Sequence, residues 1–366
     1  AGVAVLDRAA QQDQIPARDI LLLHLERGLM LHRAGAYEQS ALAFVEASRT
    51  LEEKQTISIS EQTRSFVSND WSKSYLGEYS ERLWAHSYAM MSFLMLGEAE
   101  SAAVEARQAV AVLEAYPEPL RGANFTRALI GLSFEMAGQY NDAYVAYRAL
   151  HQQMPNSPAF ALATYRAARQ VASSEGMAEW RDKISVPLWQ SYASGGPEAV
   201  LLLSVGRGPV KTSSSLIYRD ERLSFPSYLA VPQVHASLSI IDNDRQSPPF
   251  ERVSTDVYAL SAASLSHRGK QVLAKAAVRG RIKHELVKDL RRQDETAAEV
   301  LNVLFFLLEE ADTRSWESLP ARLSLLRVPL QPEQTTLTVQ LGTETRVLKI
   351  DPAKGQQPQI FSIHFD

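Results

Sequence analysis

The chain contains no cysteine. That excludes disulfides, cysteine nucleophiles and thiolate metal sites. It leaves the compartment open, because an exported bacterial protein can also lack the residue. Nor is there an excess of one charge: a net charge of −4 over 366 residues gives no electrostatic basis for holding nucleic acid. Long apolar runs are missing too. A membrane-spanning helix needs about 20 such residues. The longest stretch, Val300 to Leu308, is interrupted by Asn302 and stops at Glu309 and Glu310, so it reads as a buried helix. Ala1 to Asp13 lacks the charged start and apolar core of a signal peptide. The expectation is a cytoplasmic protein, or an exported one whose processed leader precedes Ala1.

What is present has an ordinary globular balance, 45% hydrophobic and 22% charged, which argues against global disorder. The length exceeds one ordinary core and predicts two domains. The first part is almost entirely helical pattern. Ile20 to Ala34 and Tyr37 to Leu51 form one helical hairpin, punctuated by Gly35. Tyr75 to Leu113 forms a second around Gly97, and Asn124 to Ala137 with Tyr140 to Gln153 a third around Gly138. Aligned on the turn glycine, Gly28 and Gly131 fall seven residues before it, where the second unit has Met90. Ser40, Ala102 and Ala143 fall five after it, and Phe44, Ala106 and Tyr147 nine after it. Pro155 closes the third unit, and Ala159 to Ala172 reads as a further or capping helix.

This spacing resembles the tetratricopeptide repeat, in which small residues sit where two helices touch and aromatics fill the space between units. The resemblance implies a curved solenoid whose concave groove takes a peptide or helix. The connection Gln55 to Gly77 is longer than loops usually run and carries Phe66, Trp71 and Tyr75. It reads as a packed surface loop, with a partner-binding loop anchored by Trp71 as the sharper alternative.

Ser194-Gly195-Gly196-Pro197 breaks the helical grammar. The domain expectation is therefore a helical repeat domain over residues 1–190 and an α+β domain over 197–366. In the second part, Ala199 to Val205 and Val234 to Ile241 read as strands, joined by a Ser/Pro-rich connection from Gly206 to Pro232. Three helices follow, Thr255 to His267, Lys270 to Arg292 and Glu295 to Glu310. Ala321 to Val328, a hairpin through Gly342-Thr343 and a tail at Phe361, Ile363 and Phe365 supply the last strands. Strands, helices and strands again give an α+β class with a mainly antiparallel sheet.

Several segments together resemble an uncharacterised family of bacterial envelope lipoproteins with tetratricopeptide repeats. They are Tyr75-Leu76-Gly77-Glu78 with Glu81 and Arg82, Leu96-Gly97-Glu98, Val104-Glu105-Ala106-Arg107, and Ala199 to Gly206 with Gly208-Pro209. The most distinctive is Glu309-Glu310-Ala311-Asp312-Thr313-Arg314-Ser315-Trp316, continuing through Leu319-Pro320 to Arg327-Val328-Pro329-Leu330. The match runs from Ile20 to Leu341, is patchy between Pro209 and Thr255, and departs at the Gln55–Ser74 insertion. It implies a periplasmic protein held at the outer membrane by a lipid on a cysteine that would precede Ala1. It implies no enzymatic activity and no cofactor.

Motifs that carry chemistry are incomplete. His284-Glu285-Leu286-Val287-Lys288 starts like a zincin helix but has Lys288 where the second histidine belongs. Asp242-Asn243-Asp244 starts like a calcium loop without the glycine or distal glutamate that completes one. Gly206-Arg207-Gly208 follows a strand, but Pro209 removes a backbone donor that a phosphate cradle would use. The Lys270–Arg292 pattern carries eight basic residues, read as a solvated face over an apolar stripe rather than a lipid-binding helix.

Asp312, Arg314 and Trp316 read as a structural junction. Asp312 would cap backbone donors, Arg314 would pair with a carboxylate, and Trp316 would plug a core corner. Trp71, Tyr75, Glu78, Glu105 and Arg107 are the candidate partner-binding residues. Glu105 and Arg107 lie two apart and point to different faces of one helix, which makes an internal salt bridge to another helix the alternative. These features predict a non-enzymatic scaffold or adaptor that binds a protein partner in the cell envelope, without nucleic acid, metal or cofactor. The competing expectation is an enzyme or carrier acting on peptidoglycan, polysaccharide or lipid in a cleft between the two domains.

Overall fold

The computed structural model describes residues 2–11, 14–61, 74–155, 157–218, 221–231, 237–242, 247–269 and 312–366. The fold is mixed α+β, helical in its N-terminal half and mainly antiparallel in its sheets.

The helices run in order: α1 (Gly2–Gln11), α2 (Ile20–Arg33), α3 (Tyr37–Glu61), α4 (Tyr79–Leu96), α5 (Ala99–Ala115), α6 (Asn124–Met136), α7 (Tyr140–Gln153), α8 (Ala161–Gln170), α9 (Ser174–Arg181) and α10 (Val186–Ala193). Consecutive helices pack as hairpins, α2 on α3, α4 on α5, α6 on α7 and α8 on α9, and each hairpin packs on the next. Gly35, Gly97 and Gly138 take φ of +76°, +78° and +70° at the hairpin turns, a left-handed conformation that costs a residue with a Cβ about 1–2 kcal/mol. Within the hairpins the aligned small and large residues meet. A Cβ at Gly28 would stand 2.8 Å from the Phe44 ring, and one at Gly131 would collide with Tyr147. In the α4–α5 hairpin the sizes are reversed, Met90 on the first helix and Ala106 on the second, and both are fully buried.

Nine strands lie among the described residues: β1 (Glu198–Val205), β2 (Val210–Tyr218), β3 (Glu221–Leu229), β4 (Leu238–Ile241), β5 (Glu251–Asp256), β6 (Arg322–Pro329), β7 (Thr336–Leu341), β8 (Glu344–Lys349) and β9 (Pro358–Phe365). The central sheet has the order β5-β6-β1-β9, with β1 antiparallel to β6 and parallel to β9. A second sheet is β4-β7-β8, and β2 and β3 form a hairpin of their own.

Three layers result. β1 reads as a continuous apolar run because both of its faces are covered. Val200 and Leu202 join the core shared with α2–α8, while Ala199, Leu201 and Leu203 join the core made with Ile240, Leu337 and Val339 of the outer sheet. β6 divides the same way, Leu323 and Leu325 toward the helices and Leu326 and Val328 toward the outer sheet. The central sheet packs on α4 and α6 and reaches α2 through His32 and Ser362, and α4 is buried along most of its length. That side of the helices is covered by the chain's own sheet.

Several boundaries differ from those the sequence suggested. Helix α3 continues to Glu61 instead of stopping at Leu51, because residues 52–61 contain no proline or glycine to end it. The Gly206–Pro232 connection contains the β2–β3 hairpin, in which Ser215 faces Ser224 and Pro226 stands opposite Ser213. The helix expected from Thr255 begins only at residue 257; Thr255 lies in β5, where its hydroxyl accepts a hydrogen bond from the Phe125 amide at 2.9 Å. The strand expected from Val234 is described from Leu238. The helices expected over 270–292 and 295–310, with His284 to Lys288, lie outside the described residues, as do Phe66, Trp71 and Asn243-Asp244.

Candidate partner-binding surface

At the start of α4 the chain gathers charge. Glu81 reaches back to accept the backbone N–H of Glu78 at 2.6 Å, an arrangement that orders a helix N-terminus. The same Oε2 accepts the Tyr75 hydroxyl at 2.5 Å, and Oε1 accepts the Trp316 backbone N–H at 2.7 Å. Glu78 receives Lys211 Nζ at 2.7 Å from β2 and Arg268 Nη2 at 2.6 Å from the helix over 257–269. Its second oxygen, Oε2, is buried with no hydrogen-bond partner. Burial raises the Glu81 carboxyl above its ordinary value, against the pull of Lys211, and burial with the Glu81 charge raises the Tyr75 phenol well above 10. Burial alone would lower Arg268, but Glu78 beside it raises it.

Tyr75 and Glu78, candidates for partner contact, thus lie inside the molecule, about 3% and 1% exposed. There they tie α4 to the β2–β3 hairpin and to the segment that follows residue 311. That segment is the junction of Asp312, Arg314 and Trp316. Arg314 bonds both oxygens of Asp312, at 2.9 and 2.7 Å, and reaches Asp19 at 2.5 Å. Asp312 accepts the Arg314 backbone N–H, and the Trp316 ring packs 5.7 Å from both Phe44 and Tyr88. Glu105 is also internal, paired with His86 at 2.8 Å, so helices α4 and α5 are joined by the interhelix pair weighed as its alternative. Of the five partner candidates, Trp71 lies outside the described residues, and Arg107 stands at the surface. Its guanidinium donates to Gln139 at 2.6 Å, and Gln139 in turn donates to Glu100 at 3.1 Å.

Three exposed aliphatic residues were not read as a surface feature from the sequence. Leu42, Val104 and Val145 are 60%, 53% and 58% exposed. Each falls seven residues after its turn glycine, at one register on α3, α5 and α7, the second helices of the hairpins. The signal was available in the same alignment, but outward residues are invisible to a reading that looks for buried contacts.

The interface between helices and sheet is polar wherever a strand points a polar side chain at a helix. Arg327 of β6 donates to Glu135 of α6, to Glu198 of β1 and to Tyr147 of α7, and Arg166 of α8 also reaches Glu198. Glu251 of β5 accepts the Leu162 and Ala163 amides at the start of α8, at 2.8 and 3.2 Å. His32 of α2 bridges Ser92 of α4 and Ser362 of β9, at 2.9 and 2.8 Å. Burial raises Glu198, but Arg166 and Arg327 more than reverse this and bring it down to about 2. Burial pushes Glu251 up to about 7 and pulls His32 down to about 3. Carboxylates with values driven apart are what acid–base catalysis uses. The two carboxylates, however, are buried and engaged with arginines or backbone amides, and His32 with two serine hydroxyls, so the arrangement orients helices against strands. Among the described residues no group of three or more metal-ligating side chains converges, and no helix is long and apolar enough to cross a membrane.

No protein-family model matches the chain, and no curated protein matches it.

Proposed function

We propose that the protein is a non-enzymatic scaffold or adaptor of the bacterial cell envelope that binds a protein partner through the outer face of its helical array. In this reading the hairpins are tetratricopeptide-like units of a repeat domain over residues 1–190. The α+β domain over 197–366 occupies the inner side and stiffens the array. The protein is periplasmic and tethered to the outer membrane by a lipid, as the resemblance to envelope lipoproteins implies. One observation carries the reading: exposed aliphatic residues recur at the same register of three successive hairpins, Leu42, Val104 and Val145. Single exposed aliphatics are ordinary, but a repeat of the same position along a stacked array makes a spaced row, the form in which solenoids meet extended partners. Arg107, beside Val104 on α5, adds the polar rim that such contacts use.

The test is crosslinking capture from envelope extracts with the full chain and with a variant carrying Leu42→Glu, Val104→Glu and Val145→Glu. The parent is expected to retain a crosslinked protein that the variant loses, with an unchanged far-ultraviolet dichroism spectrum. Equal capture by both would remove the outer face from the proposal, and capture by neither would remove the scaffold reading.

A further inference from the structure

We propose that a cavity at the end of the helical array, between α7 and α9, binds a carboxylate group carried on an apolar body. The cavity has a volume of about 460 Å³, within the range of small-molecule sites. Its apolar wall includes Pro155, Pro158 and Trp180. The Trp180 ring has His151 on one side, with centroids 4.0 Å apart, and Lys183 Nζ 3.7 Å from its centroid. With the ring thus covered, its edge is what remains for other contacts, and the indole N–H on that edge is buried without an acceptor.

The charges of the cavity select the anion. Arg148 and Lys183 are cationic, and Glu179 is anionic and bonded to Lys183 at 2.9 Å. Burial lowers the His151 imidazole below its ordinary value, which disfavours a further positive charge there. Thr164 donates its hydroxyl to the Phe160 carbonyl, so it accepts from His151 Nε2 at 3.0 Å, which places a proton on that nitrogen. Two cations against one carboxylate leave a single net positive charge, the complement of a monoanion and half of what a phosphate dianion needs. Arg148 supplies the planar pair of donors that suits a carboxylate, and Tyr144 beneath it, 5.6 Å from the guanidinium carbon, holds it over the wall. This inference is independent of the outer-face reading.

A free small acid and the C-terminus of a peptide share this chemistry, and calorimetry on the full chain separates them. The probes are phenylacetate, phenylacetamide, phenyl phosphate, and a tripeptide ending in phenylalanine with either a free or an amidated C-terminus. At least one of the two carboxylates is expected to saturate with a dissociation constant near or below about 1 mM, with neither amide saturating and phenyl phosphate weaker. Arg148→Gln, at an exposed position, is expected to weaken the carboxylate roughly tenfold. The Trp180 indole N–H resonance, assigned by its loss in Trp180→Phe, should move on binding. Binding of phenylacetate alone assigns a free acid; binding of the tripeptide acid alone assigns a chain terminus. Saturation by neither acid, equal binding of acid and amide, or an unchanged affinity in Arg148→Gln would overturn the proposal.

Discussion

Glu251 and Arg327 show how much single residues carry at the helix–sheet interface. A Glu251 carboxyl whose pKa is raised from 4.5 to about 7 by burial favours the neutral form in the folded protein. Its contribution is fully present below the unfolded value near 4.5 and is lost as pH rises through 7. At about 1.36 kcal/mol per unit the full loss is a little over 3 kcal/mol. The stability advantage of the parent over Glu251→Gln, measured by urea denaturation between pH 5 and 8.5, is expected to shrink by an amount of that order. A flat difference would mean that the two amides of α8 keep the carboxylate ionised. Arg327 is the opposite case. It is 1% exposed and neutralises Glu135 and Glu198. Arg327→Met leaves Arg166 alone against two buried carboxylates, and removal of one member of such a network costs about 3–5 kcal/mol. A fall in urea midpoint at unchanged slope would report it. Retained stability would mean that water or a rearranged Arg166 replaces the guanidinium.

Among the elements, the hairpins turn on size complementarity between their two helices. Gly131→Ala should gain up to about 1 kcal/mol of helix propensity. Yet the added methyl collides with the Tyr147 ring, and overpacking of a tight core costs about 1–3 kcal/mol. Tyr147 is not free to yield, because its hydroxyl is held by Glu135 at 2.8 Å. Net destabilisation is expected in thermal unfolding, and stabilisation would show that α6 and α7 can separate. The positions were legible in the sequence, although the repeat resemblance placed the aromatics between units and not against the glycine of their own hairpin. The intervals of seven before and nine after the turn glycine pair Gly28 with Phe44 and Gly131 with Tyr147 because helical periodicity fixes which residues face each other. Trp316 and Arg314 were legible for a related reason, as bulky and charged groups crowded into one short connection. The β2–β3 hairpin was not, since its serines lack the apolar alternation by which strands are recognised. The burial of Tyr75 and Glu78 was not legible either. It depends on Lys211 and Trp316, partners more than a hundred residues away, whose approach no local pattern encodes.

At the scale of the whole molecule, the helical array and the central sheet share one core. Leu21, Tyr88, Leu129 and Phe160 of the helical half belong to the same buried cluster as Val200, Val253, Leu323 and Trp316. The polar ties cross the same boundary: His32 to Ser362, Arg166 to Glu198, and Glu251 to the start of α8. A chain of this length would ordinarily divide into domains that unfold separately. A shared core joins the two transitions, because stripping the sheet from the helices leaves apolar surface and buried charges without partners on both sides. Urea unfolding followed by far-ultraviolet dichroism, dominated by the helices, is therefore expected to coincide with unfolding followed by tryptophan fluorescence. A fragment ending at Gly195 should bind a hydrophobic dye and aggregate, and should regain a cooperative transition when co-expressed with residues 196–366. Two separated transitions, or a soluble fragment that excludes the dye, would show that the array closes its own inner face. The sheet would then be dispensable to the array, and the inner face would compete with the outer row of Leu42, Val104 and Val145 as the docking face.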